Sequence, residues 1–132
     1  MGLFFKQPVP EVRADTLLFR FKGGWSARCY CSGSSVEVVI EGNALSVSVA
    51  AYVAELAKDI DALSAKALSF AESQGRWPSE YHNPVLEEIV FPDGTDTSSF
   101  SLLYEMSPPM PPVYIDIEFV NGEPSNSKWD YV

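Results

Sequence analysis

The sequence has few of the residues from which catalytic and metal sites are usually built. Its 132 residues include two cysteines and one histidine, His82. A lone histidine limits any zinc site, and the acidic residues near Asp93 and Asp96 lack the ligand spacing of a calcium loop. These absences predict no metal site, no cofactor and no catalytic residues.

Long apolar runs are also missing. No segment approaches the roughly 20 apolar residues that cross a bilayer, and the first six residues lack the long apolar stretch of a secretory signal. Gly23 and Gly24 are not followed by the helix and Lys-Ser/Thr pair of a phosphate-binding loop. We therefore expect a cytoplasmic protein that binds neither membranes nor nucleotides.

Basic side chains are scarce towards the end of the chain. Residues 77–132 contain ten acidic side chains against Lys128 alone, whereas residues 1–76 contain eight of each sign. The whole net charge of −9 therefore belongs to residues 77–132. Such a field repels nucleic acid and attracts a basic partner at a rate that falls as salt rises. The alternative is that the acidic residues only maintain solubility.

What the chain does contain is typical of one globular domain spanning residues 1–132. Hydrophobic residues make up 46% and charged residues 20% of it. After a lead-in over residues 1–14, alternating apolar residues predict three short strands over residues 16–22, 25–31 and 36–40, the first two joined at Gly23-Gly24.

The second of these strands carries both cysteines. Cys29 and Cys31 would lie on the same strand face about 6.6 Å apart. This spacing is typical of two reduced thiols in a core, while a redox pair or half of a metal site remain alternatives.

One long central helix is predicted next. Its apolar stripe recurs at steps of four and three residues: Val49, Val53, Leu56, Ile60, Leu63, Ala67 and Phe70. Ser46 or Ser48 caps its start and Gly75 marks its end. Because this helix would be roughly 38 Å long, it either overhangs the sheet or breaks near Ser64. The regular repeat also permits helix pairing in a homodimer.

The remaining residues alternate again. Strands are predicted over residues 85–91, 100–105 and 113–119, with a further edge strand over 128–131, and residues 107–112 form a stiff proline-rich link. The predicted fold class is α+β, with antiparallel sheet(s) of about six or seven strands, one long central helix and the order βββ-α-βββ(β).

The strand over residues 113–119 has one apolar and one acidic face. Asp116 and Glu118 would lie about 6.6 Å apart on that face, a spacing also compatible with glycosidase-like carboxylates in a cleft. Aromatic residues beside carboxylates suit an interface with a basic protein. The predicted partner-binding residues are Glu105, Tyr114, Asp116, Glu118 and Trp129.

The second half of the chain also resembles known proteins. Phe100-Ser-Leu-Leu-Tyr-Glu105, the proline-rich link and Val113-Tyr-Ile-Asp-Ile-Glu-Phe-Val-Asn-Gly122 after a helix resemble small uncharacterised bacterial α+β proteins, some of which are similar to immunity proteins of polymorphic toxin systems. The resemblance covers residues 48–122 and assigns no functional residue. It implies a small acidic cytoplasmic domain that binds a cognate toxin, commonly a basic nuclease, and blocks its active site.

These observations together favour a non-enzymatic protein-binding domain of the toxin-immunity kind with a basic protein partner. The alternatives are an oligomerising structural domain of phage or mobile-element origin, with the helix stripe at a dimer interface, and a small enzyme using Cys29 and His82.

Overall fold

The computed structural model describes residues 19–21, 23–75, 77, 83–106 and 112–131. His82, the lead-in over residues 1–14 and most of the proline-rich link lie outside them. The elements run in the order βββ-αα-ββββ: β1 (Phe19–Phe21), β2 (Gly24–Cys31), β3 (Ser34–Glu41), α1 (Val47–Lys58), α2 (Ile60–Ser73), β4 (Val85–Phe91), β5 (Ser99–Met106), β6 (Val113–Val120) and β7 (Glu123–Tyr131).

Two helices lie where one long central helix was predicted, so that prediction is wrong. The side chain of Ser46 caps α1 by accepting a hydrogen bond from the Val49 amide at 3.1 Å. α1 ends at Asp59, whose amide donates to the Leu56 carbonyl, three residues back instead of four. Aspartate is unfavourable inside a helix because its side chain competes for the hydrogen bonds of nearby backbone groups. The break leaves Ile60, at the start of α2, only 3% exposed.

The sheet is mixed, which corrects the prediction of antiparallel sheets. All seven strands form a single sheet in sequence order. Five neighbouring pairs are antiparallel, but β3 and β4 are parallel, with Glu37 opposite Glu88 and Ile40 opposite Phe91. The helix pair carries the chain back to the end of the sheet at which β3 begins, so β4 starts in the same direction.

Both helices pack on one face of this sheet. Phe91, Phe100 and Phe119 stack across β4, β5 and β6 with ring centroids 4.9 Å apart at each step. Tyr52 of α1 meets the first two of these rings edge-on at 6.0 and 6.1 Å. Every second residue of β6 is fully buried on this face: Val113, Ile115, Ile117 and Phe119.

The sheet curves around α2. This helix contacts both β2 and β7, which lie five places apart in the sheet. Near its start, Asp61 accepts a hydrogen bond from the Ser32 amide at 2.9 Å, just after β2. One turn further on, Lys66 forms an ion pair of 2.8 Å with Glu123 of β7. Both helices therefore lie on the inner side of the curved sheet, and neither described helix packs on its outer side.

Among the described residues, neither helix is long and apolar enough to span a bilayer.

Candidate functional site on the open face

The face of the sheet turned away from both helices is called the open face. The strand register places on it alternate residues of six strands: Ser26, Arg28 and Tyr30; Ser35, Glu37, Val39 and Glu41; Val85, Glu88 and Val90; Ser101, Leu103 and Glu105; Tyr114, Asp116 and Glu118; Asn126, Lys128 and Asp130. Neither of the two described helices covers this face. Its side chains are partly or fully exposed.

Three carboxylates lie in one row across the centre of the open face. Glu37 is opposite Glu88, Glu88 is opposite Leu103, and Leu103 is opposite Asp116. We call Glu37, Glu88 and Asp116 the carboxylate row. Adjacent strands are about 4.8 Å apart, so Glu37 and Glu88 lie well within a Debye length of each other at physiological salt, whereas Asp116, two strands from Glu88, lies about 10 Å from it.

Among the described residues, the basic side chains opposite row members stand at the two ends of this row. Arg28 lies opposite Glu37 but donates a hydrogen bond to Ser35. At the other end, Lys128 lies opposite Asp116 and forms an ion pair with Glu118, with Nζ 3.3 Å from Oε2. The centre of the row therefore keeps a negative field.

Burial and, to a smaller extent, neighbouring carboxylates raise the pKa values of two row members. Partial burial, followed by the negative charges of Glu37 and Glu41, raises the pKa of Glu88. Burial, followed by the charge of Glu118, also raises the pKa of Asp116, although Lys128 and a hydrogen bond from Ser101 act in the opposite direction. Both carboxylates are held in surroundings that disfavour their ionised form.

Asp116 also has an unused acceptor. Its Oδ1 is buried and has no hydrogen-bond partner among the described residues. Buried polar atoms of native proteins are almost always hydrogen-bonded, so this oxygen has the capacity to accept a further hydrogen bond.

Four of the five predicted partner-binding residues share the open face: Glu105, Tyr114, Asp116 and Glu118. Tyr114 lies opposite Glu105, with its hydroxyl 3.5 Å from the carboxylate oxygen Oε2. The charge of Glu105 is the main cause that raises the pKa of the Tyr114 hydroxyl. The strand pairing therefore brings these four together.

Trp129 lies on the opposite face, apart from the other predicted partner-binding residues. It is opposite the buried Ile115 and packs edge-on against Trp77, with ring centroids 5.5 Å apart. Its indole Nε1 is buried and finds no acceptor in the described part of the chain. The register between β6 and β7 fixes this orientation, because a strand directs successive side chains to opposite faces.

Sequence reasoning missed the contribution of β3 and β4 to this surface. Glu37 belongs to a part of the chain with balanced charge, and Glu88 was not linked to any strand face. The alternation in Val36-Glu37-Val38 signals an outward carboxylate. Only the parallel pairing of β3 with β4 sets Glu37 beside Glu88.

The cysteines occupy the helix-covered face. Both lie in described strand β2, and no disulfide joins them. The Cys31 thiol donates to Asp61 Oδ1 at 3.1 Å, and burial together with this carboxylate raises the pKa of Cys31. An activated nucleophilic thiol needs the opposite shift. Cys29 is 3% exposed, and its proposed partner His82 lies outside the described residues.

A groove of about 330 Å³ lies on the surface of the two helices. It is lined by Tyr52, Leu56 and Leu63 together with Glu55, Asp59, Ala62 and Lys66. The rest of the predicted apolar stripe is largely used in the core. Val49, Val53 and Ile60 are at most 3% exposed. Leu56 and Leu63 therefore remain as the stripe residues bordering this groove.

The described residues contain no group of three or more His, Cys, Asp and Glu side chains arranged to hold a metal ion. No protein-family model, curated protein or solved structure matches the chain. The function must therefore be inferred from the open face itself.

Proposed function

We propose that this chain is a non-enzymatic binding protein that sequesters a basic protein partner on its open face, as an immunity protein does with a toxin. The carboxylate row carries the proposal. Glu37, Glu88 and Asp116 are aligned on an exposed surface, and the pKa values of the last two are raised. A partner's cations would relieve repulsion that the chain maintains in their absence.

Two features support a protein partner over a small molecule. The acidic surface extends over several strands, and Leu103 and Tyr114 add apolar and aromatic area between its charges. Interfaces between proteins combine a broad area with aromatic residues and complementary charge.

The test compares two variants with equal net charge. Glu88→Gln/Asp116→Asn removes two charges from the open face, and Glu55→Gln/Glu72→Gln removes two from exposed helix positions. Each variant is co-expressed with the product of the neighbouring reading frame, and affinity is measured by calorimetry over a salt series.

We expect the open-face variant to bind about tenfold more weakly or worse, because close interfacial charge pairs contribute about 1.5 kcal/mol or more. The helix variant should retain the wild-type affinity. The open-face substitutions relieve repulsion, so unfolding would not explain a loss of binding. The proposal is contradicted if a pull-down with the wild-type chain recovers no basic protein at any salt concentration. It is also contradicted if both variants bind the partner equally well.

The oligomerising alternative rests on a separate observation, the groove beside Leu56 and Leu63. A dimer through this groove predicts that Leu56→Asp converts a dimer into a monomer in light scattering. A chain that is monomeric before the substitution, or a dimer insensitive to it, removes this alternative.

A further inference from the structure

A small notch interrupts the open face beside the carboxylate row. Its volume is about 220 Å³, and its lining includes Val90, Pro92, Ser101, Glu118 and Val120. Pockets for drug-sized ligands are typically about 300–1,000 Å³. The notch is therefore of a size for one side chain.

The lining combines apolar and acidic groups. Val90, Pro92 and Val120 supply apolar wall, and Val120 is 47% exposed. Glu118 supplies a carboxylate and lies opposite Ser101 in the strand register. Lysine and arginine side chains bury their aliphatic stems against apolar surface while the charged head stays near water or a counter-ion. An anionic side chain would be repelled by Glu118, and a purely apolar one would remove solvent from this carboxylate without pairing it.

Glu118 already has a partner, but a weakly held one. Lys128 Nζ lies 3.3 Å from Glu118 Oε2, and the two side chains are 63% and 41% exposed. Exposed ion pairs of this kind contribute little to stability. Lys128 therefore acts as a resident cation that an incoming one can displace.

We propose that this notch is the seat for one long basic side chain of the partner, with its stem against Val90 and Val120 and its head on Glu118 in place of Lys128. This inference rests on the proposed function and specifies the chemistry of one contact within it. An arginine fits best, because its guanidinium can donate two parallel hydrogen bonds to one carboxylate.

The experiment uses a defined probe on the full chain. N-acetyl-arginine-N-methylamide is titrated into ¹⁵N-labelled protein and followed by amide chemical shifts, with the neutral citrulline analogue of similar shape as control. We expect shifts centred on Val90, Ser101, Glu118 and Val120 with the arginine probe and none with the citrulline analogue. The proposal that the notch binds a basic side chain is wrong if both probes give equal shifts, or if the arginine shifts are spread evenly over the open face.

Two variants move the result in opposite directions. Glu118→Gln keeps the shape of the side chain but removes its charge, and we expect it to abolish the localised shifts. Lys128→Met keeps a long side chain but removes the competing cation, so it should bind the arginine probe about threefold more tightly. A wild-type affinity in Glu118→Gln, or weaker binding in Lys128→Met, contradicts the proposal.

Failure of the notch is distinguishable from failure of the proposed function. If Glu118→Gln retains full affinity for the basic partner while Glu88→Gln/Asp116→Asn loses it, the notch is wrong and the open-face function stands. If Glu88→Gln/Asp116→Asn also retains full affinity, the proposed function itself is wrong. If both variants lose partner affinity and the arginine probe localises to the notch, both proposals hold.

Discussion

Glu37 lies directly opposite Glu88 on the parallel strands β3 and β4. Like charges placed opposite each other in a sheet are destabilising, and Glu41 adds to the repulsion that Glu88 experiences. The fold therefore holds a local conflict on an exposed face where glutamine or serine would be tolerated. Such conflicts between stability and sequence are concentrated at functional sites.

Replacement of Glu88 by glutamine should stabilise the protein. At neutral pH and low salt we expect a gain of about 0.2–1 kcal/mol in the free energy of unfolding, nearer the lower end because Glu88 is partly solvated. The pKa of Glu88 is raised in the folded state, so its favourable contribution is complete below the unfolded-state pKa and is lost as pH rises through the folded-state pKa. The gain from Glu88→Gln should therefore be small near pH 3 and complete at pH 7, as measured by urea unfolding.

Asp130→Asn is the control for this prediction. Asp130 is an exposed open-face carboxylate that lies opposite Tyr114 instead of another acid. It should change stability less than Glu88→Gln. Since repulsion is screened by salt and burial is not, the gain in Glu88→Gln should shrink but not vanish in 0.5 M salt, on the order of three times the physiological ionic strength. A destabilised Glu88→Gln at pH 7 would contradict the strained-row interpretation.

A buried hydroxyl pair fixes α2 to the sheet. Tyr104 Oη lies 2.8 Å from Ser64 Oγ, Tyr104 is fully buried, and burial is the main cause that raises its pKa. We expect Tyr104→Phe to cost about 0.5–1.5 kcal/mol, because the hydrogen bond to Ser64 is lost while the Ser64 hydroxyl keeps its hydrogen bond with Cys31.

The double-mutant cycle with Ser64→Ala isolates this pair. Removing both hydroxyls should cost less than the sum of the two single substitutions, by about 0.5–1.5 kcal/mol in urea unfolding. Strict additivity would mean that the two hydroxyls do not interact in solution.

Local alternation predicted strands well but could not predict their direction. The strand over Val113–Val120 lies where the alternation of apolar and acidic residues placed it. An alternating pattern says which residues share a face and nothing about whether the neighbouring strand runs parallel. The pairing of Glu37 with Glu88 depends on how the helix pair crosses the sheet. The sequence pattern therefore could not predict that β3 and β4 contribute to the candidate surface.

The helix break and the position of Trp129 depend on tertiary geometry in the same way. The apolar stripe continues through Asp59 without a change of period, so the break was expected near Ser64 if anywhere. It occurs instead at the polar residue where the chain must turn to follow a curved sheet. Likewise, a one-residue choice of register decides whether Trp129 joins Tyr114 or faces Ile115.

Gly94, in the loop between β4 and β5, is hydrogen-bonded to the end of β3 and to the start of α1 and should tolerate no side chain. Its amide donates to Glu41 and its carbonyl accepts from Ser46, each at 2.9 Å. A Cβ atom at this position would lie 2.1 Å from the Ala44 carbonyl oxygen, which is backbone and cannot rotate away. We expect Gly94→Ala to cost about 3 kcal/mol, the upper part of the usual range for overpacking.

Gly33→Ala is the matched control for the glycine prediction. At Gly33 a Cβ atom meets nothing within 4 Å, but φ is +84°. Its cost should be limited to the strain of the left-handed backbone, about 1–2 kcal/mol. Thermal unfolding compares the two variants, and a Gly94→Ala protein at least as stable as Gly33→Ala would refute the close approach to Ala44.

Asp61 should show the opposite pH dependence to Glu88. Its carboxylate accepts hydrogen bonds from the Cys31 thiol and from the amide and hydroxyl of Ser32, and these donors lower the pKa of Asp61 in the folded state. A depressed carboxyl pKa contributes stability above the unfolded-state value, and this stability is lost as pH falls through the folded-state pKa.

Asp61→Ala should therefore destabilise the protein at pH 7 and have progressively less effect as pH is lowered towards 2. The same substitution removes an anion beside Cys31, so the pKa of this thiol should fall and its alkylation by iodoacetamide at pH 8 should accelerate. Cys31→Ser is the control that shows whether alkylation occurs at this thiol. Urea unfolding as a function of pH tests the first effect, and an Asp61→Ala protein whose loss of stability is larger at pH 3 than at pH 7 would show that the carboxylate does not accept these bonds in its ionised form.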